Sequence, residues 1–312
     1  MGDDAMKKTA TVEEQLKKMK KRFFILLTFF ILFLTVVGIY IYLNYDYLAF
    51  KHLISQNYIY TDTLDDIFKK ELKRDVNGNY YSYFDNLVIS VVTKYIQSAN
   101  NDRYTYLYLP ENLKQVKEEE KEEASQSEIK ELNDKTVLLR LTNFSKYTQK
   151  FVLDNTEKLD DYPYLILDLR DNYGGDIDAM ARISDVFLPK GKIIATDRMR
   201  IFNRIYKAKY KDMLKYERIM ILQNENTASA SENMIAALKD NLENVTLLGQ
   251  TTFGKGIGQF TLPLRRGYAV KATVLFWDTP NNINIQGKGI SPDIFYDGED
   301  AVDYALSIID DI

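Results

Sequence analysis

The stretch "RIMILQNENTASASENMIAALKDNL", Arg218 to Leu242, changes character in its middle. "RIMIL" is a short apolar run of the kind that fills strands buried on both faces of a sheet. "NMIAALKDNL" has the apolar spacing of a helix. Between them, "NENTASASEN" (Asn224 to Asn233) sets Thr227, Ser229 and Ser231 among alanines. Small hydroxyl residues cap helices well. The same junction also suits a nucleophilic hydroxyl held beside the free N–H groups of a helix start.

The same texture continues on either side. "TVLLRL" from Thr136, "YLILDL" from Tyr164 and "VTLLG" from Val245 are further short apolar runs, and "YAVKATVLFW" from Tyr268 reads as a longer strand. Helical patterns separate them at Asp176 to Phe187 and Ser231 to Leu242. The layout is α/β with a mostly buried sheet. Upstream, Tyr45 to about Pro110 reads as mainly helical, with Leu64, Ile67, Phe68 and Leu72 at helical spacing. The charge run Lys114 to Lys135 reads as a solvated helix or a linker.

Phe23 to Leu43 contain no charge. As a helix they span about 30 Å, the thickness of a bilayer core. No small-residue cleavage site follows, so the segment reads as an uncleaved anchor rather than a signal peptide; a buried core helix is the alternative. Lys17, Lys18, Lys20, Lys21 and Arg22 precede it. Basic flanks stay cytoplasmic, which puts everything after Leu43 outside the cell membrane. The expected division is therefore 1–22 cytoplasmic, 23–43 transmembrane, 44–135 helical region and charged linker, and 136–312 the α/β domain.

Composition narrows the chemistry. Of 312 residues, none is cysteine and one is histidine, His52. Disulfides, thiolate metal sites and cysteine nucleophiles are excluded together. A Ser-His-Asp triad would have to use His52, just beyond the apolar segment. The net charge of −4 gives no general attraction to nucleic acid. No metal or other cofactor is expected.

Acyl transfer by serine needs a nucleophile, a base and donors for the oxyanion. "TTFGKGIGQ" (Thr251 to Gln259) sets Lys255 among glycines with Phe253 and Ile257 nearby. Desolvation there would lower the amine's pKa and supply a base. If the stretch is extended, 255, 257 and 259 share a face, so Gln259 could orient the lysine. A glycine-rich turn is the plainer reading. "LDLRDNYGGD" (Leu167 to Asp176) ends a buried strand in a Gly-Gly pair before a helix. It is either an anion-binding turn or a tight loop that needs glycine.

"DLRDNYGG", "NENTASASE", "TTFGKGIGQ" and "GKGISPD" (Gly287 to Asp293) occur in the order of the C-terminal processing peptidases, and the chain resembles that family of S41 serine proteases from about Thr136 onward. "NNDRYTYLYLPEN" (Asn100 to Asn112) is similar to a segment that the family carries before its regulatory domain. The resemblance implies a crotonase/ClpP-like α/β fold and a Ser-Lys dyad. Ser229 aligns with the nucleophile, Lys255 with the base and Gln259 with the orienting glutamine. The oxyanion donors would be the N–H of Ala230 and that of Gly174 or Gly175. Ser231 and Glu232 would serve as helix cap and first-turn acid. Tyr173 stands where the family has proline, Asn226 where it has glycine, and Lys255 falls one residue late. Leu113 to Lys135 is too short to hold the family's PDZ domain. The expected function is a membrane-anchored serine endopeptidase acting on extracytoplasmic proteins or peptides, with a partner protein as one source of substrate recognition. The alternatives are a non-catalytic scaffold, or coenzyme A chemistry on the related crotonase fold.

Overall fold

The computed structural model describes residues 2–60, 82–210 and 213–310. In chain order the elements are α1 (Gly2–His52), α2 (Ser82–Asn100), β1 (Tyr106–Tyr108), α3 (Pro110–Ala124), β2 (Glu128–Asn133), β3 (Thr136–Arg140), α4 (Lys146–Asp154), α5 (Thr156–Asp160), β4 (Tyr164–Asp168), α6 (Ile177–Asp185), β5 (Ile193–Met199), β6 (Asn203–Lys207), β7 (Arg218–Gln223), α7 (Ala230–Asn241), β8 (Val245–Gly249), β9 (Ile257–Pro263), β10 (Ala269–Asp278), β11 (Ile294–Phe295) and α8 (Ala301–Asp310).

Five parallel strands and one antiparallel edge form the first sheet, in the order β11-β8-β7-β4-β3-β2. Its apolar runs are continuous because both faces are covered. Leu139, Leu165, Leu167, Ile219 and Ile221 face the main core with α6 and α7. Leu138, Ile166, Met220 and Leu248 face Ala301, Ala305 and Ile309 of α8. The second sheet is antiparallel, with β10 pairing β1 and β5 on its path and β9 beside it.

The charge run is neither wholly helix nor linker. Its first part is in α3, and its end is β2, paired antiparallel with β3. β2, which the sequence reading placed in the linker, thus belongs to the same sheet as β3. β2 keeps its charged composition because it is an edge strand with largely solvent-facing side chains. The periodic positions Leu64, Ile67, Phe68 and Leu72 lie outside the described residues.

The long helix α1 carries the apolar segment. Glu14–Leu43 is long and apolar enough to cross a membrane, and none of that window is buried, which removes the core-helix alternative. Asn44 breaks the helical geometry (φ −109°, ψ 15°), and its Nδ2 donates to the Tyr40 carbonyl at 2.9 Å. Beyond this kink the chain joins a second core. Phe50 and Ile54 pack with Ile89, Ile96, Val270 and Ala272. Arg265, in the turn between β9 and β10, donates to the Tyr42 and Leu43 carbonyls, and its backbone N–H donates to Asp46. The apolar helix is thus tied directly to the second sheet.

Candidate active site

Three loops leave the C-terminal ends of β4, β7 and β8 and meet at one place, where open parallel sheets form their crevices. The β7–α7 turn carries Ser229 in a conformation with φ 58° and ψ −115°. A non-glycine residue there stores about 1–3 kcal/mol of strain. A strained strand-to-helix turn of this kind raises a nucleophile above the sheet. Several bonds hold the turn. Ala228 N–H and Ser231 Oγ both donate to the Asn172 carbonyl, at 3.0 and 2.8 Å. Thr227 Oγ1 donates to Leu169 O at 2.8 Å. Asn224 and Asn226 both donate to Asp171 Oδ1, and these bonds hold its carboxyl below the usual range. Asn226, a departure from the family's glycine, therefore has a structural task.

Ser231 is not the cap that the sequence implied. The N-cap is Ser229 itself, and the helix begins at Ala230. Glu232 does more than act as a first-turn acid. Its Oε2 accepts the N–H groups of Ser229 at 2.7 Å and Lys255 at 2.9 Å, and its Oε1 accepts Thr252 Oγ1 and Gly254 N–H, both at 2.6 Å. Burial pushes this carboxyl up, and the four donors oppose the rise. One buried acid thus joins the turn bearing Ser229 to the turn bearing Lys255. The Ser-x-x-Glu spacing of a capping box was the available signal, but it does not announce the second loop.

Gly174 lies against Ser229. A Cβ on Gly174 would sit 2.7 Å from Ala228 O, 2.8 Å from Ser229 Cβ and 2.9 Å from Ala230 N, and its φ of 98° also favours glycine. Its N–H is engaged by Asn172 Oδ1 at 2.9 Å. The N–H groups of Gly175 and Ala230 carry no hydrogen bond among the described residues.

Ser229, Ala230, Gly174, Gly175, Lys255 and Gln259 all line one cavity of about 620 Å³. Lys255 is largely buried, and desolvation, aided by Lys271, lowers its amine to about 8. Its Nζ lies 4.6 Å from the centroid of the Tyr104 ring, within cation–π range. Buried Asp102 fixes this segment by accepting from Tyr58, Thr105 and Thr273 hydroxyls. The expected bond between Gln259 and Lys255 is absent. Gln259 Nε2 is buried without a partner among the described residues. The reason is local: β9 begins only at Ile257, so Lys255 sits in a loop rather than in register with Gln259. No hydrogen bond joins Ser229 Oγ to Lys255 Nζ among the described residues. His52 is exposed at the end of α1 and does not line this cavity.

The sequence profile of peptidase family S41 matches residues 135–296, more than half of the chain. The chain belongs to peptidase family S41. Similar sequences include a carboxy-terminal-processing protease of Bartonella bacilliformis, 40% identical over 141 residues, covering 45% of this chain and 31% of that protein. A probable CtpA-like serine protease of Staphylococcus aureus is 39% identical over 140 residues, covering 43% and 27%. The chain thus spans less than a third of the length of these curated relatives. In fold, it is similar to a lipoprotein from Streptococcus agalactiae (TM-score 0.65, 18% identity, covering 86% of this chain and 96% of that one). It is also similar to the photosystem II D1 C-terminal processing protease (TM-score 0.60, 17% identity, covering 82% and 93%). This S41 chain has α3 and β2 across Leu113 to Lys135, with α3 forming one wall of the cavity.

Proposed function

We propose that this protein is a membrane-anchored serine endopeptidase acting on extracytoplasmic proteins or peptides through a Ser229–Lys255 dyad. The supporting observation is that a serine in a strained turn at a helix start shares one cavity with a desolvated lysine. Ser229 Oγ attacks the scissile carbonyl while neutral Lys255 takes its proton. The N–H groups of Ala230 and Gly175 stabilise the oxyanion, since Gly174 N–H is already committed to Asn172. Lys255, now protonated, gives the proton to the leaving amine, and an acyl-enzyme remains. Water then attacks the acyl carbonyl as Lys255 takes its proton; Lys255 returns that proton to Ser229 Oγ as the acid leaves, restoring both groups.

In the resting arrangement the Lys255 amine rests on Tyr104. Substrate binding draws it toward Ser229, with Gln259, whose amide nitrogen has no partner among the described residues, available to orient it. Residues 1–22 face the cytoplasm, 23–43 cross the membrane and the remainder faces outward, on the strength of the basic flank before Phe23. The test is cleavage of casein or a quenched peptide library by the full chain in detergent, beside Ser229→Ala. Cleavage abolished by the substitution supports the reading. Equal cleavage by both proteins refutes it.

A further inference from the structure

The apolar helix and the loop bearing Lys255 sit at opposite ends of the β9–β10 hairpin. At the near end, Arg265 donates to the Tyr42 and Leu43 carbonyls, where the apolar segment stops. It also pairs with Asp46 at 3.3 Å, and Asp46 is 1% exposed. At the far end, Phe276 pairs with Ile257, and Trp277 Nε1 donates to the Lys255 carbonyl at 2.8 Å.

α1, with the turn Leu53–Asn57 that continues it, runs beside β10 in the same direction. Leu43 is held at Arg265, Ile59 N–H donates to the Thr273 carbonyl at 3.3 Å, and the Tyr60 ring meets Phe276 edge to face at 6.1 Å. Phe50, Ile54 and Tyr58 pack between these ties with Val270, Ala272 and Val274. The two tracks agree in length. Ala269 to Phe276 is seven strand steps, about 23 Å at ~3.3 Å per residue. Leu43 to Asn57 is fourteen helical steps, about 21 Å at ~1.5 Å per residue. Exposed Tyr40, Tyr42 and Tyr45 suit the membrane–water interface at the near end.

We infer that this coupling holds the catalytic cavity at a fixed height above the bilayer, and that the substrates are chains tethered to the same membrane, cut only where the scissile bond lies about seven or more extended residues from their exit point. This rests on the reading of the chain as a membrane-anchored peptidase. A flexible linker would keep the enzyme on the membrane equally well. The chain instead has a buried ion pair at the exit, and breaking such a pair costs about 3–5 kcal/mol. A fixed height acts on a substrate whose own distance from the membrane is fixed.

The experiment reconstitutes the full chain in liposomes with tethered substrates. Each substrate is a single-pass helix, a glycine–serine spacer of about two, four, eight, twelve or twenty residues, and a casein segment that the enzyme cuts in solution. Initial rates should be at least ~10-fold lower at the two shortest spacers than at the two longest, because a tether that cannot span the gap supplies no effective concentration. A flexible glycine–serine insertion of about twelve residues between Leu43 and Asn44 should restore cutting at short spacers and leave cutting of the free segment unchanged. Equal rates at every spacer, or a threshold that survives the insertion, overturns the inference.

Height is also read without turnover. The chain has no cysteine, so Phe253→Cys, at an exposed position near Lys255, carries a single dye. Energy transfer to headgroup acceptors should report one narrow distance that broadens on insertion. A broad distribution in the uninterrupted chain overturns the inference. A narrow distance in a protein that cuts no casein, free or tethered, would sink the peptidase reading and leave the fixed height standing.

Discussion

Glu232 Oε2 accepts the backbone N–H of Lys255 at 2.9 Å, across the gap between the α7 helix start and the β8–β9 loop. The same atom accepts Ser229 N–H, so the spacing of the proposed nucleophile and base depends on one carboxylate. Glu232→Gln leaves one acceptor oxygen for donors that now use two. Unsatisfied buried donors cost about 1–3 kcal/mol each, so thermal unfolding should shift down measurably. The charge of Glu232 also raises the Lys255 pKa. The acidic limb of the pH–activity profile should therefore move to lower pH in Glu232→Gln, a shift that mere loosening of the fold does not produce.

Lys255, as the proposed base, should set that limb. Its amine is lowered from 10.5 to about 8 by burial, and it is a base only when neutral. Activity should rise with pH through about 8 and fall away below it, measured as kcat/KM on a quenched peptide. No imidazole can account for the limb, because the one histidine, His52, lies outside the cavity. Lys255→Arg should fold and be nearly inert, since guanidinium with a pKa above ~12 cannot accept the proton.

Gly174 and Gly191 make a matched pair. Both have positive φ, 98° and 91°, but a Cβ at Gly191 meets nothing within 4 Å. Gly191→Ala should cost about 1 kcal/mol of stability through backbone strain and leave kcat unchanged. Gly174→Ala drives a methyl into the Ser229 turn and should lower kcat/KM by ~10²-fold or more, the scale of a damaged oxyanion site.

The proposed topology predicts that protease added outside spheroplasts will digest residues beyond the apolar helix without lysis. Immunoblotting with an antibody against the C-terminal part checks this. Protection until the membrane is dissolved would reverse the orientation.

The first sheet was legible because strands buried on both faces must be apolar at every position, as in Leu165 to Leu167 and Ile219 to Leu222. The antiparallel sheet was legible only in β10. β5 and β6 carry Asp197, Arg198 and Arg204 within partly solvated strands, so no clean period of two survives. In the site, Ser229 and Lys255 stood out through their turns of small residues and glycines. Glu232 was visible only as a helix-start acid, because its bonds to Thr252, Gly254 and Lys255 cross some twenty residues of sequence. Tyr104, against which the Lys255 amine lies, gave no local signal. Its place comes from the packing of the second sheet against the loops of the first.

The most direct test of the central claim is covalent labelling by a fluorophosphonate probe, with the modified residue located by mass spectrometry. The account predicts modification at Ser229, rising with pH as Lys255 loses its proton and suppressed in Lys255→Arg. A folded protein that is unlabelled at Ser229, or labelled equally well without Lys255, would contradict it.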